Sequence, residues 1–351
     1  MGIDRRSERD AWIESGHDVR TIDGQRRSGQ ERSEQARYYP ARMIHIHNGD
    51  STAMTARRAN IPGRHVAFRE TLITGPTPAE LPQHEWIEQR ARFLSENYDQ
   101  NLLRTRTELL DQEMELDQSR HEDEVVLWFE HDLFCLINFL YLLIRLAKAR
   151  HLSMIWCPNP LGVMPEPELI NVYNSRAAVP PAMIRTANKA WSAYTAADPT
   201  EINRFVSDTF DFAFLREGFL LHATRFPSVR NGLGEVERRA MDGIAAGATD
   251  FLSLFTRFDH DPPRYGFGDG EFLRTLRRLA SCAVPMITIT EVEGENPPKA
   301  LFALTPAGKN VLEGKADFID LNNAGFWLGG AYLTRDRLWR WDETRKEIVD
   351  R

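Results

Sequence analysis

The residues best placed to do chemistry are Glu130, His131 and Asp132, three ionisable side chains in a row directly after the apolar run Val125-Val126-Leu127-Trp128-Phe129. Two carboxylates around an imidazole can hold a divalent cation. They can also act as general acid and base once burial or a neighbouring charge pushes their pKa values apart. Glu130 and His131 are therefore the candidate catalytic pair. Asn48-Gly49-Asp50-Ser51 and Arg69-Glu70 follow two earlier apolar pieces, and with Asp132 they make up the candidate ligand-binding set. Asn48 to Ser51 could offer backbone N–H groups and a helix N-terminus to an anion. The stretch has neither the dinucleotide glycine fingerprint nor the Walker lysine. Asp50 also puts negative charge where a phosphate would sit, unless a metal or a sugar hydroxyl intervenes. His131 and Cys135 stand four residues apart with Cys157 further on, a spacing open to a soft-metal triad. Each residue has a plainer reading: Asp132 as a helix cap, Glu130 as a partner of Arg69, Cys135 as a small buried hydrophobe. Metal and cofactor stay unassigned.

The elements that must position these groups follow from periodicity. Apolar residues without a break, β-branched and aromatic among them, predict a strand buried on both faces over Val125–Phe129, and Leu133–Leu146 predicts an apolar helix. Further strands are expected at Met43–His47, Arg64–Phe68 and His151–Cys157, the last ended by Pro158. Helices are expected at Thr52–Ala59 (capped by Asp50 or Ser51), His84–Tyr98 and Leu102–Gln118. Strands alternating with helices imply a parallel sheet with right-handed crossovers, and such sheets collect ligands beyond their carboxyl ends. Asp50, Arg69, Glu130 and His131 are thus expected to meet at one rim.

After Pro158 the pattern predicts helices only: Glu166–Tyr173, Pro181–Tyr194, Thr200–Val206 and Phe212–Ala223, with an aromatic-rich core. From Asn231 it predicts three helices (Glu235–Ala246, Asp250–Phe258, Gly270–Ala280) and two strands (Met286–Thr290, Ala300–Leu304). The stretch Leu304-Thr305-Pro306-Ala307-Gly308 then starts a new helix. This order resembles winged-helix domains of bacterial transcription regulators. In such a domain the third helix enters the major groove, and here it carries Arg274, Arg277 and Arg278. The acidic residues Glu291, Glu293 and Glu295 on the hairpin would repel a DNA backbone, so DNA is not the favoured partner. Gly266-Phe267-Gly268-Asp269-Gly270 reads as a flexible turn. The end of the chain, Phe326–Gly330 with Leu338–Asp342, reads as one small hairpin whose tryptophans pack on the body, in preference to stacking on bases.

Composition limits the classes. The 351-residue chain carries a net charge of −7, which argues against coating nucleic acid or anionic membrane over its whole surface. Cys135, Cys157 and Cys282 show no paired spacing and fit a reducing cytoplasm. No apolar run reaches the roughly 18–20 residues a membrane span needs. Residues 1–42 are rich in Arg, Glu, Ser and Gln, a disorder composition. A start site assigned too far upstream or a flexible extension would account for it.

From Met43 onward the chain resembles an uncharacterised bacterial family, domain of unknown function 1835. The resemblance rests on Met43-Ile44-His45-Ile46 with Asn48-Gly49-Asp50-Ser51, on Arg69-Glu70 with Gly75-Pro76, and on Leu127 to Leu133. Asn231-Gly232-Leu233, Trp327-Leu328-Gly329-Gly330 and Trp339 to Glu343 complete it. It implies no established activity. The expected organisation is a disordered extension (1–42), an α/β domain with a small parallel sheet (43–160), an all-helical middle (161–230) and a winged-helix-like α+β domain with the Trp-rich hairpin (231–351). The leading expectation is a cytoplasmic protein that binds a small polar ligand, phosphorylated or nucleotide-like, and carries a regulatory winged-helix-like module. Its rivals are an acid–base or metal-dependent hydrolase at the sheet rim and an interaction scaffold without ligand. Oligomeric state is left open.

Overall fold

The computed structural model describes residues 42–260, 265–292 and 299–350. The expectation for residues 1–42 therefore falls, apart from Arg42, outside the described residues. So do the side chains of Glu291, Glu293 and Glu295.

The first half alternates as expected: β1 (Met43–His47), α1 (Asp50–Arg58), β2 (Arg64–Ala67), α2 (Gln83–Asn97), α3 (Leu102–Ser119), β3 (Glu124–Glu130), α4 (Leu133–Arg145) and β4 (Leu152–Cys157). The strands form one sheet in the order β2-β1-β3-β4-β5, with the first four parallel. β5 (Ala177–Ala178) adds a two-residue antiparallel edge beyond α5 (Glu166–Asn174). It corrects the expectation that strands end at Pro158. Two alanines carry no periodicity, so pairing with Ser153 and Met154 alone makes them a strand. The chain moves outward from β1 to β2 and then returns to β3 on the other side. The crevice between the carboxyl ends of β1 and β3 is thus the sheet's switch point, where ligands enter open α/β sheets.

Alternation sorts the side chains between two faces. Ile44 and Ile46 of β1 and Val125, Leu127 and Phe129 of β3 face a large core that includes α4. The opposite face carries Val126 and Trp128 with Leu169 and Tyr173 of α5. It also carries an imidazole stack. His45 and His65 lie with ring centroids 4.4 Å apart, and His47 Nε2 is 2.9 Å from His65 Nδ1. Trp128 Nε1 donates to His45 Nδ1, so His45 Nε2 donates to the Pro62 carbonyl; His65 Nε2 likewise donates to Ile61. Burial lowers all three pKa values, His45 to about 4. Burial thus favours the neutral form of each ring.

The helical middle follows as α6 (Pro181–Thr195), α7 (Glu201–Ser207) and α8 (Leu215–Ala223). Its aromatic side chains Tyr194, Phe205 and Phe219 join the same large core as β1 and β3. Helices α9 (Glu235–Ala245), α10 (Phe251–His260) and α11 (Asp269–Ser281) precede the antiparallel pair β6 (Ile287–Val292) and β7 (Lys299–Leu304). Helix α12 (Pro306–Leu312) starts on Thr305, whose hydroxyl accepts the Gly308 N–H, and α13 (Phe318–Asn322) starts on Asp317.

The aromatic end forms two hairpins where one was expected. Strand β8 (Phe326–Leu328) pairs with β9 (Ala331–Leu333), and β10 (Trp339–Asp342) pairs with β11 (Glu347–Asp350). The Gly329-Gly330 turn closes the first hairpin on itself, which leaves Trp339 and Trp341 to find other partners. Both tryptophans are buried, as is Arg340, whose guanidinium pairs with Asp317. These side chains pack; none presents a face to a base.

Candidate functional site

A cleft of about 1430 Å³ opens at the carboxyl edge of the sheet. Its floor comes from the β1 end (Asn48, Gly49), the β2 end (Arg69, Glu70) and the β3 end (Glu130, Asp132). Its far wall is the Gly266–Gly270 turn that leads into α11. The turn expected to be merely flexible thus borders the site directly.

Glu130 ends β3 on the side of Trp128. Its Oε1 accepts the Leu161 N–H at 2.8 Å, which fastens the loop after β4. Burial raises its pKa, against two backbone hydrogen bonds that pull it down. Asp132 N-caps α4: its Oδ1 accepts the Cys135 N–H at 2.7 Å. Burial, with Glu130 adding repulsion, pushes its carboxyl up to about 7 in spite of that cap. Gly266, at φ 68°, stands so close that any side chain there would strike the Asp132 carboxylate. Glycine is what lets this turn pack directly against Asp132.

His131 takes no part in the cleft. Successive residues at a strand end leave on opposite faces, and its ring lies against Trp156 (centroids 4.8 Å apart) and Phe214 (5.9 Å). The proposed Glu130–His131 pair is therefore split between the two faces. Glu130 is brought together with Asp132 and Cys135 instead, their ligand-type atoms lying within 4.8 Å of one another. These three could hold a cation, yet each has work of its own. Cys135 Sγ accepts from Asn48 Nδ2 at 3.0 Å, and burial drives its thiol pKa well above the ordinary value. The expected grouping of His131 and Cys135 with Cys157 does not form: His131 turns away, and Cys157 Sγ donates to Asn159 O at 3.3 Å.

Asn138 joins the site without having been among the candidate residues. It sits fully buried inside apolar α4. Its Nδ2 donates to Asn48 Oδ1 and to the Glu70 carbonyl, both at 2.8 Å. One side chain thus clamps the ends of β1 and β2. A polar residue in an otherwise apolar helix was the only signal.

The other rim residues pair among themselves. Arg69 grips Asp50 through two bonds of 2.9 and 2.6 Å at an exposed mouth, which lowers the Asp50 pKa. The expected Glu130–Arg69 pair is therefore replaced by Arg69–Asp50. Glu70 turns inward to fully buried Arg90, whose guanidinium also donates to the Thr71, Thr74 and Pro76 carbonyls. That pair shapes the loop after β2 and leaves little of Glu70 for a ligand. Neither Asp50 nor Ser51 caps α1 through its side chain; Gly49 is the N-cap, at φ 142°, with open space beside it. Ser51 instead donates to the Gly162 carbonyl.

The arginines of α11 do not share an exposed face. Arg277 alone is exposed. Arg274 pairs with Glu271, and Arg278 pairs with Glu237; both border a smaller cavity.

No family model matches this sequence, and comparison with curated proteins finds no match.

Proposed function

We propose that this chain binds a small polar ligand in the rim cleft, with its reactive or recognised groups directed at Glu130 and Asp132. The observation that carries the reading is the coincidence of an open cleft, a sheet switch point and a carboxyl held near neutrality by burial. A nucleotide-like ligand fits the charge layout. Its phosphate would sit by the open α1 N-terminus at Gly49, beside Arg69, and its hydroxyl or amino groups would reach the carboxylates. The free thiols Cys135, Cys157 and Cys282 support a reducing, cytoplasmic setting. No helix among the described residues is long and apolar enough to cross a membrane. In this reading the winged-helix-like part is a regulatory or interaction module, because Arg274 and Arg278 turn inward.

Gly268 supplies the test. Among the described residues a Cβ there would meet nothing within 4 Å, so Gly268→Leu projects into open cleft while its backbone angles suit any residue. A thermal-shift screen of nucleosides and their monophosphates should give hits with the wild-type chain. Those hits should vanish in Gly268→Leu at an unchanged melting temperature of the free protein. Hits that persist in the variant would place the ligand elsewhere.

One observation favours acid–base chemistry as a second reading. Asp132, with a pKa near 7, could take or give a proton at physiological pH. Asp132→Asn keeps the helix cap and removes the proton, so an enzyme would bind its ligand and fail to turn it over.

A further inference from the structure

The smaller cavity, about 480 Å³, is walled by α11, α2, the Thr74–Pro76 loop and the Phe326–Leu328 strand. Nothing in the rim reading uses it. Its volume lies within the range of small-ligand sites, and its polar groups are unusual. Arg92, Arg225, Arg274 and Arg278 line it, against the carboxylates Glu96 and Glu237.

Three of these guanidiniums are stacked on aromatic rings. Arg225 lies 5.6 Å from the Phe267 centroid, Arg274 5.7 Å from Tyr98, and Arg278 5.1 Å from Phe326. Stacking fixes the plane of a guanidinium and leaves its N–H edge free to fork onto an oxyanion. Arg225 donates to the Ile73 carbonyl, and among the described residues no carboxylate is at ion-pairing distance from it. Its burial and the neighbouring arginines work against its charge. Two further buried polar atoms at this cavity, Arg274 Nε and Gln89 Oε1, have no hydrogen-bond partner among the described residues. Buried polar groups are nearly always satisfied, so such a gathering calls for a missing partner. Phe326 and Trp327 give the same cavity an apolar side.

We propose that this cavity is a second binding site, for a small molecule that joins an oxyanion, phosphate or carboxylate, to a flat apolar body. The oxyanion meets Arg225 and Arg274; the flat body lies against Phe326 and Trp327. Glu237 acts as an internal competitor, because it occupies Arg278 while the site is empty.

The test is calorimetric titration of the full chain with phenyl phosphate, phenylacetate and inorganic phosphate, each against chloride of equal ionic strength. Both phenyl compounds should bind more tightly than inorganic phosphate, and the tighter of the two identifies the oxyanion. Arg225→Gln should weaken that binding on the order of tenfold, the scale of one lost charged hydrogen bond. Glu237→Gln should strengthen it, since Arg278 is then released. If Arg225→Gln does not fold, Arg274→Gln carries the same expectation. The proposal is overturned if no heat appears at about 10 mM phenyl compound. It is equally overturned if the arginine variants bind as the wild type does, or if Glu237→Gln binds less tightly. Gly268→Leu should leave this binding untouched, which separates it from the rim.

Discussion

Helix α11 walls both cavities, and the two differ in sign. Its first turn gives Glu271 and the glycine turn to the rim cleft, where lining carboxylates outnumber cations. Later turns of the same stripe give Arg274 and Arg278 to the smaller cavity, where arginines outnumber carboxylates. Acid in the first turn and base towards the last also complement the helix dipole. One arrangement therefore serves the helix and sorts charge between its neighbours. Glu271 marks the border: it accepts from the Tyr98 phenol and pairs with Arg274, and burial beside it pushes the phenol up to about 12. The lesson is that a carboxylate here is defined less by type than by what surrounds it. Asp50 at the mouth is paired, exposed and shifted down; Asp132 in the floor is half-buried beneath the glycine turn and shifted up.

The largest effect should come from a change that breaks both cavities at once. Arg90 holds Glu70 on the cleft side and the Thr74 and Pro76 carbonyls on the cavity side. Arg90→Met strands a buried carboxylate and should cost about 3–5 kcal/mol in chemical denaturation. A loss within half a kcal/mol would mean that the loop is held by something else.

The next effects separate the two faces of the sheet by pH. The imidazole stack has folded pKa values below the ordinary 6.5. Its contribution is present above that value and is lost as pH falls towards about 4. Asp132 runs the other way. Its folded pKa of about 7 lies above the unfolded 3.8, so its contribution is full below 3.8 and is lost as pH rises through 7. Asp132→Asn, which retains a capping side chain, should therefore raise the melting temperature by several degrees at pH 8 and leave it nearly unchanged at pH 3.5. In the same variant the opposing slope of Asp132 is gone, so the acid arm from pH 6.5 down to 4, to which the imidazole stack contributes, should steepen. An equal shift at both pH values would point to packing rather than ionisation. The smallest effect belongs to the mouth: Asp50→Asn breaks an exposed pair and should cost under about 1 kcal/mol.

Much of the sheet was legible because its residues are buried on both faces. Val125–Phe129 and the apolar Leu133–Arg145 helix allow no other reading, and the strand ends marked the rim. Asp132 as a cap was visible too. What escaped the sequence is direction and distance. Glu130, His131 and Asp132 look like one cluster on paper, yet the pleat sends His131 to Trp156. Gln89, Arg225 and Arg278 meet from three helical regions far apart in the chain, so no local spacing could announce their cavity. The two terminal hairpins were merged because Glu347–Asp350 carries too little apolar character to read as a strand.

The feature that marks the rim cleft is the Asp132 carboxyl, half-buried beneath the Gly266 turn and raised by desolvation. A carbon-detected NMR titration of the aspartate side chains measures this directly. The Asp132 carboxyl should titrate near pH 7, with Asp50 below the ordinary aspartate range in the same experiment. An Asp132 midpoint near 4 would mean a hydrated, ordinary helix cap, and the rim cleft would lose the feature that marks it as a site.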